Sequence, residues 1–233
     1  MVVNWNNRPC LELLLKSYIK HHYNGTPLKL LLWDNESKDD SRDFYLANGI
    51  HFQTSGTNIG HENALNQLYP QVNTKYCLLV DSDILFNENC SSYLDLLNGN
   101  TVALGDLITN DRLGDSLIKP RLAAWFILFD IEMCRKKGIT YFRNNTDWSY
   151  DVGSQFYENI IQAGLGVHAI QRLNSNPDGS IIGMNYGKFG HLLRMSWDLG
   201  KHADRTEEVA RRKRYVLERL KEFESIDLKG KFA

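Results

Sequence analysis

Hydrophobic and polar positions in the first part of the chain predict strands and helices in alternation. Apolar runs of strand length lie at residues 2–3, 28–33, 50–52 and 76–80, and apolar residues at helical spacing lie between them. Strands that are apolar throughout and alternate with helices are typical of a parallel sheet whose two faces are both covered. We therefore predict an α/β fold with a mostly parallel central sheet flanked by helices.

The second half of the chain has a less regular pattern. It predicts a strand at residues 123–131, a helix from Asp151 to Ala163 and a further strand at residues 165–170. Residues 174–190 are predicted to form a polar, glycine-rich loop, and residues 205–223 have the pattern of a charged amphipathic helix. Acidic and basic side chains are interleaved in this helix, which favours a solvated face over a docking surface.

Composition limits the class of protein. The 233 residues fit one domain, and their net charge of −1 argues against a nucleic-acid-binding protein, because phosphate binding needs a basic excess. The four cysteines form no pair or cluster at zinc-binding spacing. No signal peptide opens the sequence and no apolar stretch is long enough to cross a bilayer. We expect no transmembrane segment and a cytoplasmic location.

Polar side chains follow the predicted strands at the points where the strands end. In the order of the four strands they are Asn4 and Asn6, Asp34, Asn58, and Asp81 and Asp83. Ligands of parallel α/β sheets bind at the carboxyl ends of the strands. The sequence therefore predicts that these side chains share one ligand site.

The triplet Asp81-Ser82-Asp83 places two carboxylates one residue apart, directly after the apolar run at residues 76–80. Hard divalent ions prefer oxygen ligands and are often held by one or two carboxylates together with substrate phosphates. A bound cation also stabilises a diphosphate as a leaving group. We predict that Asp81 and Asp83 bind Mn²⁺ or Mg²⁺. The alternative is a solvated acidic turn or a helix N-cap.

Four segments, taken in order, resemble GT-A glycosyltransferases of the inverting family 2 type. They are Val2-Val3-Asn4-Trp5-Asn6, Leu31-Leu32-Trp33-Asp34-Asn35-Glu36-Ser37, Asn58-Ile59-Gly60-His61-Glu62-Asn63-Ala64-Leu65-Asn66 and Leu79-Val80-Asp81-Ser82-Asp83. The resemblance implies a Rossmann-like GT-A domain at residues 1–203. Its nucleotide-sugar-binding half would be residues 1–100, and its acceptor half with a lid loop would be residues 101–203. Residues 204–233 would form a C-terminal amphipathic helix and tail.

The same resemblance implies roles for single residues. Asp34 would contact the base, Asn58 and Gly60 would lie near the diphosphate or ribose, and Asp81 would face the ribose or the sugar. The residues predicted to bind the nucleotide sugar are Asn4, Asn6, Arg8, Asp34, Asn58, Gly60, Asn66, Asp81, Ser82, Lys188 and Arg194.

An inverting sugar transfer also needs a group that takes the proton from the acceptor hydroxyl. Related enzymes supply an acidic residue at the start of a helix, and the segment Tyr150–Phe156 resembles that helix start. Asp151 is therefore the predicted catalytic base, with Asp147 as the second choice. The alternative role of Asp151 is a helix N-cap, for which aspartate is favoured.

His191 is predicted to complete the metal site. Several metal-using GT-A enzymes supply a histidine from a C-terminal loop, and His191 follows Tyr186-Gly187-Lys188-Phe189-Gly190 in such a setting. Imidazole is a suitable ligand for Mn²⁺. Lys188 and Arg194 would bind the phosphates. The alternative is an exposed loop histidine among ordinary surface cations.

We therefore predict a metal-dependent glycosyltransferase that moves a sugar from a nucleoside-diphosphate sugar, with a UDP-sugar favoured, to a hydroxyl of a glycan or other acceptor. Two alternatives stay open. One is a nucleotidyltransferase, although Asn6-Asn7-Arg8-Pro9 lacks the glycine- and lysine-rich loop that such enzymes have after the first strand. The other is a binding module that keeps the nucleotide pocket without turnover.

Overall fold

The computed structural model describes residues 1–113, 115–140, 142, 147–173, 183–192 and 206–233. In chain order the strands are β1 (Val2–Asn4), β2 (Leu32–Asp34), β3 (Tyr76–Asp81), β4 (Ile84–Phe86), β5 (Thr101–Ile108), β6 (Arg112–Leu113), β7 (Ser116–Leu117), β8 (Arg121–Asp130), β9 (Gly166–Ala169), β10 (Met184–Asn185) and β11 (Phe189–His191). The helices are α1 (Arg8–His22), α2 (Ser41–Asn48), α3 (His61–Leu68), α4 (Ile131–Lys136), α5 (Ser154–Gln162) and α6 (Thr206–Glu222).

The chain forms two compact units. The first consists of Met1, Ile59–Asp81 and Ser91–Gln171, and the second of Val2–Asn58, Ser82–Cys90 and Arg172–Ala233. Both units combine strands with helices. The predicted α/β class, with helices flanking the strands and a further helix near the C-terminus, is confirmed.

The first unit is organised around strand β8. It pairs antiparallel with β3 on one side, where Val80 lies opposite Phe126, and antiparallel with β5 on the other. Strand β9 then pairs parallel with β5. Nine of the ten residues of β8 are buried, which explains why the sequence shows a continuous apolar run there. The antiparallel direction of β8 is a feature that the alternation of strands and helices did not predict.

Aromatic side chains fill the core of the first unit. The ring of Phe156 from α5 stacks on Phe142 with centroids 4.8 Å apart and meets Phe129 from β8 at 5.2 Å. Tyr69 packs edge-on against Phe142 and donates a hydrogen bond from its hydroxyl to the Ile139 carbonyl. Stacked and edge-to-face rings are the favoured geometries for aromatic pairs. The core therefore fixes α5 against β8.

The second unit contains a parallel strand pair, β1 with β2, and an antiparallel sheet in the order β10-β11-β4. Helix α1 packs against α6 in a core of Cys10, Leu13, Leu85, Leu192, Val216 and Phe223. The outward face of α6 exposes arginine, lysine and glutamate side chains together, as a solvated helix does. None of the described helices combines the length and the apolar character that a membrane span requires.

Two predicted strands are shorter than their apolar runs. Strand β2 begins only at Leu32, because the backbone of Leu28 and Leu30 pairs with the C-terminal residues Lys231 and Ala233 instead. Residues 50–52 form no strand, and only Gln53 makes an isolated parallel bridge, to Trp33. Apolar periodicity could not reveal these long-range pairings.

Helix α5 begins at Ser154, with Gly153 rather than Asp151 in the N-cap position. Gly153 has a φ of 94°, and a β-carbon placed on it would lie 1.9 Å from the carbonyl oxygen of Leu122. Only glycine allows the chain to pass so close to β8 in this conformation. The alternative interpretation of Asp151 as the N-cap is therefore wrong.

We predict that Gly153→Ala destabilises the protein much more than Gly164→Ala, as measured by urea unfolding. Gly164 also has a positive φ, of 73°, but open space surrounds its β-carbon position, so its substitution carries only the left-handed strain of about 1 kcal/mol. The Gly153 substitution adds a clash with the β8 backbone and should cost about 3 kcal/mol or more. Equal losses in the two variants would contradict the close packing of Gly153.

Candidate active site

The turn between β3 and β4 carries the predicted carboxylate pair. Asp81 is the last residue of β3, Ser82 and Asp83 form the turn, and β4 begins at Ile84. Asp83 and Ser82 are buried, and the Ser82 hydroxyl accepts a hydrogen bond from the side-chain amide of Asn7 at 3.1 Å. A solvated acidic turn would expose both carboxylates, so that alternative does not describe Asp83.

Asp83 and His191 meet inside the second unit. Strand β11 lies antiparallel to β4 with His191 opposite Ile84, and the Leu192 amide donates to the Asp83 carbonyl at 3.0 Å. The Nε2 atom of His191 lies 3.1 Å from Oδ1 of Asp83, and the two side chains are only 4% and 6% exposed. The prediction placed His191 in a C-terminal loop that closes after donor binding, and the alternative was an exposed loop histidine. It lies instead in a buried strand, because the pairing with β4 orders it.

Backbone packing beneath His191 holds this strand in place. Gly183 has a φ of 87°, and a β-carbon on it would lie 2.1 Å from the carbonyl oxygen of His191. No larger residue fits so close to the β11 backbone. The position of the imidazole is therefore set by main-chain contacts on both sides.

The Asp83–His191 pair fits a divalent metal ion. Two ligands at right angles on an octahedral ion, each about 2.1 Å from it, lie about 3 Å apart. The 3.1 Å between Oδ1 of Asp83 and Nε2 of His191 agrees with that spacing. Asp81 offers a further carboxylate two residues before Asp83 along the chain. A carboxylate and an imidazole together are suitable ligands for Mn²⁺.

Asp81 also has a neighbour within the first unit that the sequence did not indicate. The Nε2 atom of His61, the first residue of α3, lies 3.4 Å from Oδ1 of Asp81, and both side chains are about one-third exposed. Gly60, with a φ of 85°, is the N-cap of this helix and directs the chain into it. The sequence did not indicate a role for His61, because its partner Asp81 belongs to a different element.

Asn4 and Asp34 lie at the ends of β1 and β2 but point into the core. Both residues are fully buried. The side-chain amide of Asn4 donates to the hydroxyl of Tyr45 at 2.8 Å and to that of Ser41 at 3.0 Å. Asp34 accepts hydrogen bonds from the Ser37 amide, the Arg42 guanidinium and the Tyr45 hydroxyl. Both carboxylate oxygens of Asp34 therefore have hydrogen-bond partners within the protein.

Tyr45 is the link between the two strand ends. Burial, together with the nearby Asp34 carboxylate, raises the pKa of Tyr45 well above its ordinary value, so that its hydroxyl stays protonated and can donate. A buried charge is tolerated only when it is paired and hydrogen-bonded. The network of Asn4, Asp34, Ser41 and Tyr45 therefore stabilises the strand ends from beneath.

Asn6 and Asn58 lie on neighbouring loops of the second unit. Asn6 has a positive φ of 50°, which asparagine tolerates better than most residues, and its side chain accepts from the Lys38 amide at 2.6 Å. The side-chain oxygen of Asn58 accepts from Asn35 at 2.8 Å. Both side chains thus order the loops that follow the strand ends.

Three residues predicted to contact the nucleotide have partners within the protein. Arg8 pairs with Glu12 and lies over the ring of Phe44. The Asn66 oxygen accepts from the Phe142 amide at 3.2 Å, inside the first unit. Lys188 donates to the Asn89 carbonyl at 3.0 Å, at the opposite end of the β4–β11 pairing from His191. Arg194 lies outside the described residues.

Asp151 lies in the loop before α5, and its side chain is 48% exposed. One carboxylate oxygen accepts from the Val152 amide at 2.8 Å, and the other lies 3.3 Å from the guanidinium of the buried Arg121. Asp147, the second choice, instead accepts from the Ser149 amide, which lowers its pKa. Arg121 was not among the predicted site residues, although a charged residue at the start of the apolar run of β8 was a usable signal.

We predict that Asp34→Asn lowers the free energy of unfolding by about 2–3 kcal/mol, because hydrogen bonds to a buried charge are lost. The measurement is urea unfolding, with Glu36→Gln as the control. Glu36 is a more exposed partner of the same Arg42, so that change should leave the unfolding midpoint almost unchanged. If the two variants were equally stable, the core role of Asp34 would be refuted.

Comparisons with known proteins identify the family. The sequence profile of Glycosyl transferase family 2 matches residues 1–149. Among solved structures the chain is similar to the mannosyltransferase PcManGT from Pyrobaculum calidifontis in complex with GDP-Man and Mn²⁺, with a TM-score of 0.55 and 15% identity over 72% of this chain and 52% of that chain. It is also similar to TarS from S. aureus in complex with UDP, with a TM-score of 0.50 and 16% identity over 70% of this chain and 53% of that chain.

The chain spans about half the length of these two proteins. No curated protein matches it. The two structures support the GT-A fold, and the family profile covers more than half of the 233 residues. The resemblance that the four strand-end segments indicated is therefore confirmed: the chain belongs to Glycosyl transferase family 2.

Proposed function

We propose that the protein is a metal-dependent, inverting glycosyltransferase that moves a sugar from a nucleoside-diphosphate sugar to a hydroxyl of a glycan acceptor. The observation that carries this proposal is the buried Asp83–His191 pair, 3.1 Å apart, in a chain of this family. A buried carboxylate and imidazole with metal-ligand spacing are expected where a cation and a diphosphate bind together.

The proposed metal ligands are Asp83, His191 and, from the same turn as Asp83, Asp81. When bound, Mn²⁺ or Mg²⁺ would neutralise the diphosphate and make it a better leaving group. An imidazole among the ligands favours Mn²⁺ over Mg²⁺, which prefers oxygen alone. The similar mannosyltransferase PcManGT was solved with Mn²⁺.

The proposed nucleotide contacts lie in the turns after β1 and β3 and in the loop before α3. Asn6, Asn58, Gly60 and Ser82 would offer amide, backbone and hydroxyl groups to the nucleotide. Asn4 and Asp34 would support this part of the site from the core, since their hydrogen bonds fix the loops above them. A UDP-sugar is our first choice of donor, in line with the UDP bound to the similar TarS. GDP-sugars are tested beside it.

Asp151 is the proposed base. Its carboxylate is fixed by the Val152 amide and the Arg121 guanidinium, while half of its surface is exposed. It would take the proton of the acceptor hydroxyl as that oxygen forms a bond to the anomeric carbon and the bond to the diphosphate breaks. A carboxylate in this role contributes about 10²–10⁴ to the rate. Attack from the face opposite the diphosphate inverts the anomeric configuration.

We predict that Asp83→Asn and His191→Ala each weaken Mn²⁺ binding at least about tenfold, because each removes a ligand. The measurement is titration of the free Mn²⁺ signal by electron paramagnetic resonance, with exposed His51→Gln as the control. In a parallel thermal-shift screen, UDP- and GDP-sugars with Mn²⁺ should raise the melting temperature of the wild type and the control alone. Normal Mn²⁺ affinity in both site variants would contradict the metal assignment.

For Asp151→Asn we expect unchanged binding of the donor found in that screen and a fall of about 10²–10⁴ in its turnover, since only the proton acceptor is lost. Isothermal titration measures the binding, and release of free nucleotide measures turnover. Asp147→Asn is the matched control and should retain activity. Parallel losses of donor affinity and turnover in Asp151→Asn would show that the residue has a structural role instead.

A further inference from the structure

Arg121 is a buried cation beside the proposed base. It is the first residue of β8, and its side chain is only 7% exposed. Its Nη2 atom lies 2.5 Å from Oδ2 of Asp111, and its Nε atom lies 3.3 Å from Oδ2 of Asp151. We call these three residues the Arg121 clasp. A guanidinium is seldom buried without such pairing, because removing it from water is costly.

The clasp connects the proposed base to the backbone of the first unit. Asp111 is itself fixed, since its other carboxylate oxygen accepts from the Arg112 amide at 2.9 Å and its carbonyl accepts from the Ile118 amide at 2.9 Å. Asp111 therefore holds the guanidinium of Arg121 at Nη2. The Nε atom of the same guanidinium faces the carboxylate of Asp151.

Asp151 needs this support because its loop offers it little else. The Val152 amide binds one of its carboxylate oxygens, and the Arg121 guanidinium faces the other. Without Arg121 only the Val152 amide would hold this half-exposed carboxylate. A displacement of about 1 Å in a reacting group can reduce the rate by about 10²-fold.

We propose that Arg121 is the positioning residue of the catalytic base, and that Asp111 holds the guanidinium in the orientation that this role needs. The inference rests on the proposed function of Asp151 and extends it to two further residues. A lysine cannot replace this arginine fully, because its single ammonium lacks the planar guanidinium that can contact two carboxylates at once.

The test compares Arg121→Lys, which keeps the charge, with the control Arg112→Lys. Arg112 is the exposed residue that follows Asp111 in the sequence. Hydrolysis of UDP-glucose and of GDP-mannose with Mn²⁺ is measured as nucleotide release. The expected result for Arg121→Lys is a kcat about 10²-fold lower, a donor KM within about twofold of the wild type, and normal far-ultraviolet circular dichroism. Asp111→Asn should lower kcat by a smaller factor of about ten. An unchanged kcat in Arg121→Lys would overturn the proposal.

A double variant separates positioning from general structural damage. In an Asp151→Asn background there is no base left to position, so Arg121→Lys should reduce the residual turnover no further. A second full loss of about 10²-fold in the double variant would mean that Arg121 acts independently of Asp151, and the proposal would fail.

A crystal structure of Arg121→Lys provides a readout that does not depend on turnover. The Asp151 carboxylate should leave its position beside β8, whereas the Asp83–His191 distance should stay the same. If the carboxylate kept its position, the positioning role would be refuted even with an active enzyme. If the wild type hydrolysed neither sugar nucleotide while Asp151 moved as expected, the clasp would stand and the proposed function would be the part in error.

Discussion

The pairing of β11 with β4 is the constraint on which the proposed chemistry depends. Side chains along a strand alternate between two faces, so a shift of one residue in this pairing would direct His191 away from Asp83. The register is fixed by the His191–Ile84 pair, by the hydrogen bond from Leu192 to Asp83, and by Gly183, which leaves no space for displacement on the other side. The proposed metal site therefore depends on residues more than a hundred positions apart in the sequence.

A second constraint is the satisfaction of buried polar groups near the first two strands. The Asp34 carboxylate is fully enclosed, and it is tolerable there because Ser37, Arg42 and Tyr45 all donate to it. The bond from the Ser37 amide fixes the loop that carries Asn35, and the Ser37 hydroxyl in turn accepts from the backbone amide of Asn6. The family pattern is thus kept at Asp34, while the residue acts in this structure as the anchor of the loop rather than as an exposed group.

The sequence was sufficient to predict the α/β class and the polar residues that follow β1, β2 and β3, because both follow from local patterns of two to four residues. The prediction was wrong for Asn58, since residues 50–52 before it form no strand. Long-range partners were not predictable in this way. Leu28 looked like part of a strand but pairs with the C-terminal Lys231, and His191 looked like a loop residue but belongs to β11, which pairs with β4 and β10. Arg121 could have been noticed, since a charge at the start of an apolar run needs an acidic partner, but the identity of that partner is a property of the fold.

The proposed chemistry requires that a divalent cation binds between Asp83 and His191 and that a nucleotide diphosphate joins it there. Anomalous diffraction from a crystal grown with Mn²⁺ and UDP is a direct test, because manganese scatters anomalously and marks its own position. We predict a single strong anomalous peak within about 2.3 Å of both Oδ1 of Asp83 and Nε2 of His191, in contact with a phosphate oxygen. A UDP molecule bound with no anomalous peak at this pair, or a peak bound to other residues, would contradict the account.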